Sequence, residues 1–196
     1  ALFIASLAGG KSEIYNPLVS NDALSAVEVC KALGAKVETL ENKYIVEGFG
    51  GMPQIPSDVI NVGNSGTTLR FGVMTAALAE GCSVFTGDYQ IRRRPLGPLI
   101  GAMNNLGADV FSTRNNGMAP VVVRGRIKGG STDLEAVSSQ YLSSLLINLP
   151  LAEKDSEIIL TRLNEVPYVE MTMWWLDKQG IRYVNNNFKS FTIKGG

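Results

Sequence analysis

Histidine is absent from this sequence. Its absence excludes a Ser-His-Asp or Cys-His nucleophile system, and the usual zinc ligand sets, from within these residues. Cysteine is scarce: only Cys30 and Cys82 occur, too few for a disulfide framework, which points to a reducing, cytoplasmic setting. Cys30 falls in a helical pattern and Cys82 just before a strand-like segment, and both read as ordinary small apolar residues. Neither sign of charge is in excess, with 18 Lys plus Arg against 18 Asp plus Glu. A general binder of nucleic acid would show a basic surplus, so any anion bound here must be met by local chemistry. Long apolar runs are also missing. None approaches the roughly 18 residues of a membrane span, and the opening ALFIASLAGGKSE lacks the basic leader of a signal peptide. Neither nucleic acid nor a membrane is an expected partner, and no metal site is expected.

What is present is enough apolar content, 45% of 196 residues, to bury a core in one domain or two small ones. The segments CKALGAKV, MNNLGADV and LDKQGIRYV close three helical patterns in the same way. Their glycines, Gly34, Gly107 and Gly180, are 73 residues apart in both steps, and each stands where a left-handed C-terminal cap belongs. Ahead of those helices lie strand-like segments opened by serine, at Ser12–Tyr15, Ser83–Thr86 and Ser156–Leu160; behind them lie KYIVEG, PVVVRG and SFTIKG. Earlier helices are expected over Ala1–Ala8, Gly66–Glu80 and Ser139–Leu149. Each unit therefore reads helix, strand, helix, strand, strand, over about 1–51, 62–130 and 136–196.

Runs such as FGVMTAALA and SLLINLPL are apolar on more than one side, which predicts buried helices. The expected fold is α/β, three sheets packed around a core of helices, with the units stabilising one another in a single domain of pseudo-threefold symmetry over 1–196. The second and third units begin near Asn64 and Ser138, so the first is expected to begin about 74 residues before Asn64, ahead of Ala1. Ala1 is not an initiator methionine, and the expectation is a piece of a longer polypeptide.

Helix starts carry the chemistry. The first four N–H groups of a helix lack internal partners and the dipole adds positive charge there, so hydroxyl caps and small residues make an anion site. Asn64, Ser65, Gly66 and Thr67 form one such start, and Ser138, Ser139 and Gln140 another. Taken singly, each is better explained as a plain helix cap. A Walker loop is excluded because no Gly-Lys-Ser/Thr follows, and Gly63 and Gly66 do not spell a dinucleotide fingerprint. Two such starts at equivalent places favour a shared ligand site. The stretch GDYQIRRRPLGPL sets three arginines before a helix whose first turn is expected to hold Pro95, although cations are disfavoured at helix N-termini. An anion should offset them, and Arg94, beside the fixed proline, is the one placed for bidentate recognition of phosphate or carboxylate.

Together, GNSGTTLR, RRRPLGPL and SSQYLSSLL resemble the N-terminal globular domain of the 5-enolpyruvylshikimate-3-phosphate (EPSP) synthase family, in order and over essentially the whole chain. The resemblance implies three pseudo-symmetric βαβαββ units. It also implies transfer of the enolpyruvyl group from phosphoenolpyruvate to the 5-hydroxyl of shikimate 3-phosphate, in aromatic amino acid biosynthesis, with no cofactor. Asn64, Gly66 and Thr67 match the loop that closes around phosphoenolpyruvate, with Arg70 as structural support behind it, and Arg94 matches the arginine on its phosphate. Ser138 and Ser139 match the serines that hold the 3-phosphate of shikimate 3-phosphate. Gln140 matches the glutamine between the two substrates, and Tyr168 the tyrosine near the end of the shikimate site. Where the family reads Ser-Lys/Arg-Pro-Tyr, this chain has Glu165-Val166-Pro167-Tyr168. A carboxylate repels phosphate, so either Glu165 turns away or the local alignment is slipped, and Glu165 is left outside the site.

No acid–base pair is evident in the chain. In the family those groups come from a C-terminal domain across a closing cleft, so the resemblance implies that this chain alone is inactive and that this other domain is its partner. One rival is the UDP-N-acetylglucosamine enolpyruvyl transferase family, whose reactive cysteine precedes its Arg-Pro; Gly87–Arg93 contains none. Another is a non-catalytic repeat module, in which Asn64, Arg94 and Ser138 would not face one cleft.

Overall fold

Gly34, Gly107 and Gly180 each stand one residue beyond a helix C-cap, at φ of +109°, +94° and +67°. Only glycine takes such backbone without strain, so the repeat seen as spacing is also a repeat of geometry. A computed structural model describes all residues, Ala1–Gly196. The first unit runs α1 (Leu2–Leu7), β1 (Gly9–Tyr15), α2 (Asn21–Ala32), β2 (Lys36–Thr39) and β3 (Lys43–Phe49). The second runs β4 (Ile60–Asn61), α3 (Gly66–Ala76), β5 (Cys82–Thr86), α4 (Gly97–Asn105), β6 (Asp109–Ser112) and β7 (Val121–Arg124). The third runs β8 (Gly130–Ala136), α5 (Ser139–Asn148), β9 (Ser156–Leu163), α6 (Val166–Lys178), β10 (Tyr183–Asn186) and β11 (Ser190–Ile193).

Each unit forms its own sheet, in the orders β1-β3-β2, β4-β5-β7-β6 and β8-β9-β11-β10. Pairing is antiparallel throughout, apart from β4 with β5 and β8 with β9, which are parallel and joined through α3 and α5. A parallel pair needs such a crossover. These leading strands escape a reading of the residues alone. β4 has two residues, and Gly130–Ala136, which spans the gap left above between the second and third units, opens the third sheet. Its Thr132, Leu134 and Ala136 point inward while Asp133 and Glu135 point out, a pattern whose acidic residues and glycine mask its strand character.

The inner helices α3 and α5 are buried on nearly every side, whereas α2, α4 and α6 bury one face, through Val27 and Cys30, Leu99 and Met103, or Val169 and Leu176. One connected apolar cluster runs through all three units, from Val46 of β3 to Phe85 of β5 and Ile158 of β9. Phe3 of α1 meets Phe71 of α3 edge-on, with ring centroids 5.5 Å apart. α3 stops at Ala76, short of the expected Glu80, because the amides of Leu78 and Ala79 bond back only three residues and tighten the chain into a turn.

Where α3 and α5 touch, equivalent positions meet. Thr75 Oγ1 donates to Asn148 Oδ1 at 3.0 Å, and Gln140 Nε2 donates to Thr67 Oγ1 at 2.9 Å; in both bonds the partners are 73 residues apart. The first is fully buried, and Asn148 also donates to the Ser144 carbonyl at 2.8 Å, so its amide is satisfied in the core. No helix is long and apolar enough to cross a membrane.

Candidate functional site

The start of α3 is made by small and hydroxyl residues. Ser65, not Asn64, is the cap: its Oγ accepts from the Thr68 amide at 3.3 Å, and it lies 73 residues before Ser138, the cap of α5. Asn64, one residue earlier, donates its side-chain amide to Gln90 Oε1 at 3.1 Å and so ties this start to the arginine segment. Gly66 follows the cap, where a Cβ would collide with the guanidinium groups of both Arg94 and Arg70. A side chain there would have to push one of these two cations aside.

The arginine segment is shaped by Asp88, whose carboxylate accepts from the amides of Gln90 and Ile91 at 2.9 and 3.0 Å, and by the buried Ile91. Ile91–Arg93 form a single 3₁₀ turn. Pro95 lies outside α4, contrary to the expectation above. Arg94, preceding a proline, is extended at φ −85° and ψ 130°, and the helix starts at Gly97 with Pro98 in its first turn. The arginines therefore do not oppose that helix dipole. Arg92 donates to the Gly87 carbonyl, and Arg114 to the carbonyls of Arg92 and Ala119 at 3.3 Å. Arg94 is exposed, and none of Arg70, Arg92, Arg93, Arg94 or Arg114 makes an ion pair with a carboxylate.

Arg70 is 3% exposed and acts as a buckle. It donates to the Gly66 carbonyl at 2.8 Å and the Pro95 carbonyl at 3.2 Å, and lies 5.4 Å over the ring of Tyr141, whose hydroxyl reaches the same Pro95 carbonyl at 2.6 Å. Burial lowers its pKa from the usual guanidinium value; Tyr141 pushes back up and the Arg94 cation adds to the lowering. A cation held among carbonyls and an aromatic face locks α3, the arginine segment and α5 together.

At the start of α5, Ser138 Oγ accepts from the Gln140 amide at 3.4 Å. Ser139 is 2% exposed and gives both its donors to one carboxylate: its amide reaches Glu165 Oε2 at 3.2 Å and its hydroxyl reaches the same oxygen at 2.9 Å. Glu165 therefore does not turn away; it lies on the helix start itself. Gln140, bonded to Thr67, leaves Oε1 buried without a partner. Thr67, Ser139, Gln140, Glu165 and Tyr168 share a cleft of about 410 Å³. The structure thus links Asn64, Gly66, Thr67 and Arg94 at one end to Ser138, Ser139, Gln140 and Tyr168 at the other, through the Thr67–Gln140 bond. Sequence reasoning missed Gln90 and Tyr141 and left Glu165 outside. A glutamate two residues before the proline of an incoming helix was the available signal.

The family profile described as EPSP synthase (3-phosphoshikimate 1-carboxyvinyltransferase) matches residues 1–196. The chain belongs to the EPSP synthase family. It is 72% identical to the 3-phosphoshikimate 1-carboxyvinyltransferase of Acetivibrio thermocellus, across 100% of this chain and 46% of that protein. To the enzyme of the same name from Ruminiclostridium cellulolyticum it is 58% identical, with the same coverage, and to that of Methanocella arvoryzae 45%, across 99% of this chain and 46% of the relative. The chain spans about half the length of these curated relatives. Among solved structures, EPSP synthase from Acinetobacter baumannii superimposes with a TM-score of 0.88, covering 100% of this chain and 44% of that one at 23% identity, a likeness of fold. EPSP synthase membership also separates the chain from the cysteine-dependent rival. Cys30 is buried, with its thiol pushed up to about 12 by burial, and Cys82 is the exposed first residue of β5 rather than a buried apolar one. Burial keeps the Cys30 thiol protonated, and neither cysteine lies in the Gly87–Arg93 stretch that precedes Arg94-Pro95.

Proposed function

We propose that the chain forms the substrate-binding half of a 3-phosphoshikimate 1-carboxyvinyltransferase. That reaction joins the 5-hydroxyl oxygen of shikimate 3-phosphate to C2 of phosphoenolpyruvate, the hydroxyl giving up its proton to a base as C3 is protonated by an acid. It then removes a C3 proton as the bond from C2 to the phosphate oxygen breaks, so that C2=C3 re-forms and inorganic phosphate leaves. The observation that carries this reading is the set of arginines without carboxylate partners, with Arg94 against the bare Gly66 at a helix start. Such a cluster is complementary to a compact phosphorylated acid.

In this reading Asn64, Gly66, Thr67 and Arg94 receive phosphoenolpyruvate, while Ser138, Ser139, Gln140 and Tyr168 receive shikimate 3-phosphate. Gln140 joins the two ends through Thr67. The contribution is positioning and charge compensation in a preformed site. In this reading the acid and base are supplied by residues outside 1–196, so residues 1–196, folding as one domain, bind without turning over. The absence of a disulfide fits a cytoplasmic enzyme.

Calorimetric titration with each substrate tests this. Arg94→Ala is expected to weaken phosphoenolpyruvate binding about 100-fold, the loss of a charge-assisted pair, and to leave shikimate 3-phosphate within about threefold. Equal loss for both ligands, or turnover by residues 1–196 alone, would falsify it.

A further inference from the structure

The chemistry of an anion site has no use for a carboxylate, yet Glu165 supplies one. Its Oε2 accepts from the amide and the hydroxyl of Ser139, the two donors a phosphate oxygen would take at the start of α5. No lysine or arginine forms an ion pair with Glu165, so Ser139 and the helix dipole are what hold the charge in place. The backbone is arranged to deliver it: Glu165 is the cap residue of α6 at φ +59° and ψ +44°, a left-handed conformation that residues with a Cβ disfavour. Yet its side chain is exposed, and both of its contacts fall on one residue. Rotation about its own side-chain bonds is enough to release Ser139 without moving α6.

We propose that Glu165 is a resident anion of the shikimate 3-phosphate end, which the incoming phosphate displaces from Ser139, so that binding there exchanges one anion for another. This rests on the reading of the site given above. Two anions cannot share the same pair of donors, since at contact distance they repel. The measured affinity is then the intrinsic affinity reduced by the fraction of molecules in which Ser139 is free. The exchange also makes this end selective. A phosphate dianion outcompetes a single carboxylate at a helix start, whereas shikimate lacking the 3-phosphate has nothing to place on Ser139 and leaves Glu165 where it is.

The test compares wild-type protein with Glu165→Gln, which keeps the shape and removes the charge, and Glu165→Asn, which suits the left-handed backbone and is too short to reach Ser139. Thermal melts establish that both variants fold. Titrated with shikimate 3-phosphate, both are expected to show a Kd about tenfold lower than wild type, the ratio for a site free in one molecule of ten. Binding of shikimate itself should stay within about twofold. A Kd for shikimate 3-phosphate that is unchanged or raised in both variants overturns the displacement and leaves the reading of the site intact. Absence of saturable binding by wild type and both variants overturns the site itself, and the displacement with it.

Discussion

The starts of α3 and α5 are the same structure furnished in opposite ways. Ser65 and Ser138 cap them at equivalent places, Gly66 corresponds to Ser139, and Thr67 corresponds to Gln140, to which it is bonded. At the first start the missing side chain admits two guanidiniums, and no carboxylate answers them. At the second a hydroxyl is present and a carboxylate has settled on it. Both helices begin with N–H groups that have no partner within the helix, and both carry the same dipole. The difference comes largely from what the neighbouring segments carry in: the Gly87–Pro95 stretch brings Arg94 to join Arg70 of α3 itself, and the turn before α6 brings Glu165. A helix start therefore sets where an anion can bind, and the loop beside it decides which anion and how readily.

The largest effect should come from breaking the link between the two starts. Arg70→Ala removes a buried side chain that bonds Gly66 and Pro95 and stacks on Tyr141. The expected loss is about 2–4 kcal/mol, seen as a Tm lower by roughly 5–15 °C; an unchanged Tm would show that the two starts are held independently. Next, Gly66→Ala places a Cβ against Arg94 and Arg70. With the exposed Arg94 giving way more easily than the buried Arg70, phosphoenolpyruvate affinity should drop about tenfold, the scale of one misplaced charged hydrogen bond. The Tm should move little, and affinity for shikimate 3-phosphate should hold.

Much of this contrast was legible in the sequence. Glycine at a helix C-terminus, hydroxyls at an N-terminus and apolar runs on buried helices are local chemistry, and they gave the period, the three units and both helix starts. What escaped depends on partners distant in sequence. β8 is a strand because β9 pairs with it in parallel, not because GSTDLEA favours one. The run into RRRPLGPL reads as a helix start with Pro95 inside α4, whereas the Pro95 carbonyl is bound by Arg70 and Tyr141 and the helix waits until Gly97. The charge of Glu165 argues against an anion site, and only the fold brings it to the amide and hydroxyl of Ser139, 26 residues away in sequence.

Smaller effects separate the depth of the two contacts between α3 and α5. Thr75→Val leaves the buried Asn148 Oδ1 without its donor and should cost about 1–2 kcal/mol by chemical denaturation. Thr67→Val, at the solvent-facing pair, should cost less than about 0.5 kcal/mol. Equal costs would mean that burial does not distinguish the two. Least of all, thiol labelling at neutral pH should modify Cys82 in the native protein and reach Cys30 only on unfolding, because burial holds the Cys30 thiol near 12. The sign follows from linkage: the folded state keeps that proton longer than the unfolded chain, whose value is the ordinary 9.0, so the stability it contributes is whole below about pH 9 and is lost as pH climbs toward 12.

The Thr75–Asn148 and Thr67–Gln140 bonds have one more consequence. In a strictly symmetric ancestor each of these positions would have faced its own copy, like a residue on the two-fold axis of a homodimer, where a single identity must serve both sides. A lone amide or a lone hydroxyl meets itself poorly; an amide and a hydroxyl meet well. One period back from Thr75 stands Leu2, which has no polar group to offer either of them. Near the axis, then, divergence among the copies is what lets the helices interlock in one arrangement, and a substitution that restored sameness there would loosen the molecule rather than perfect it.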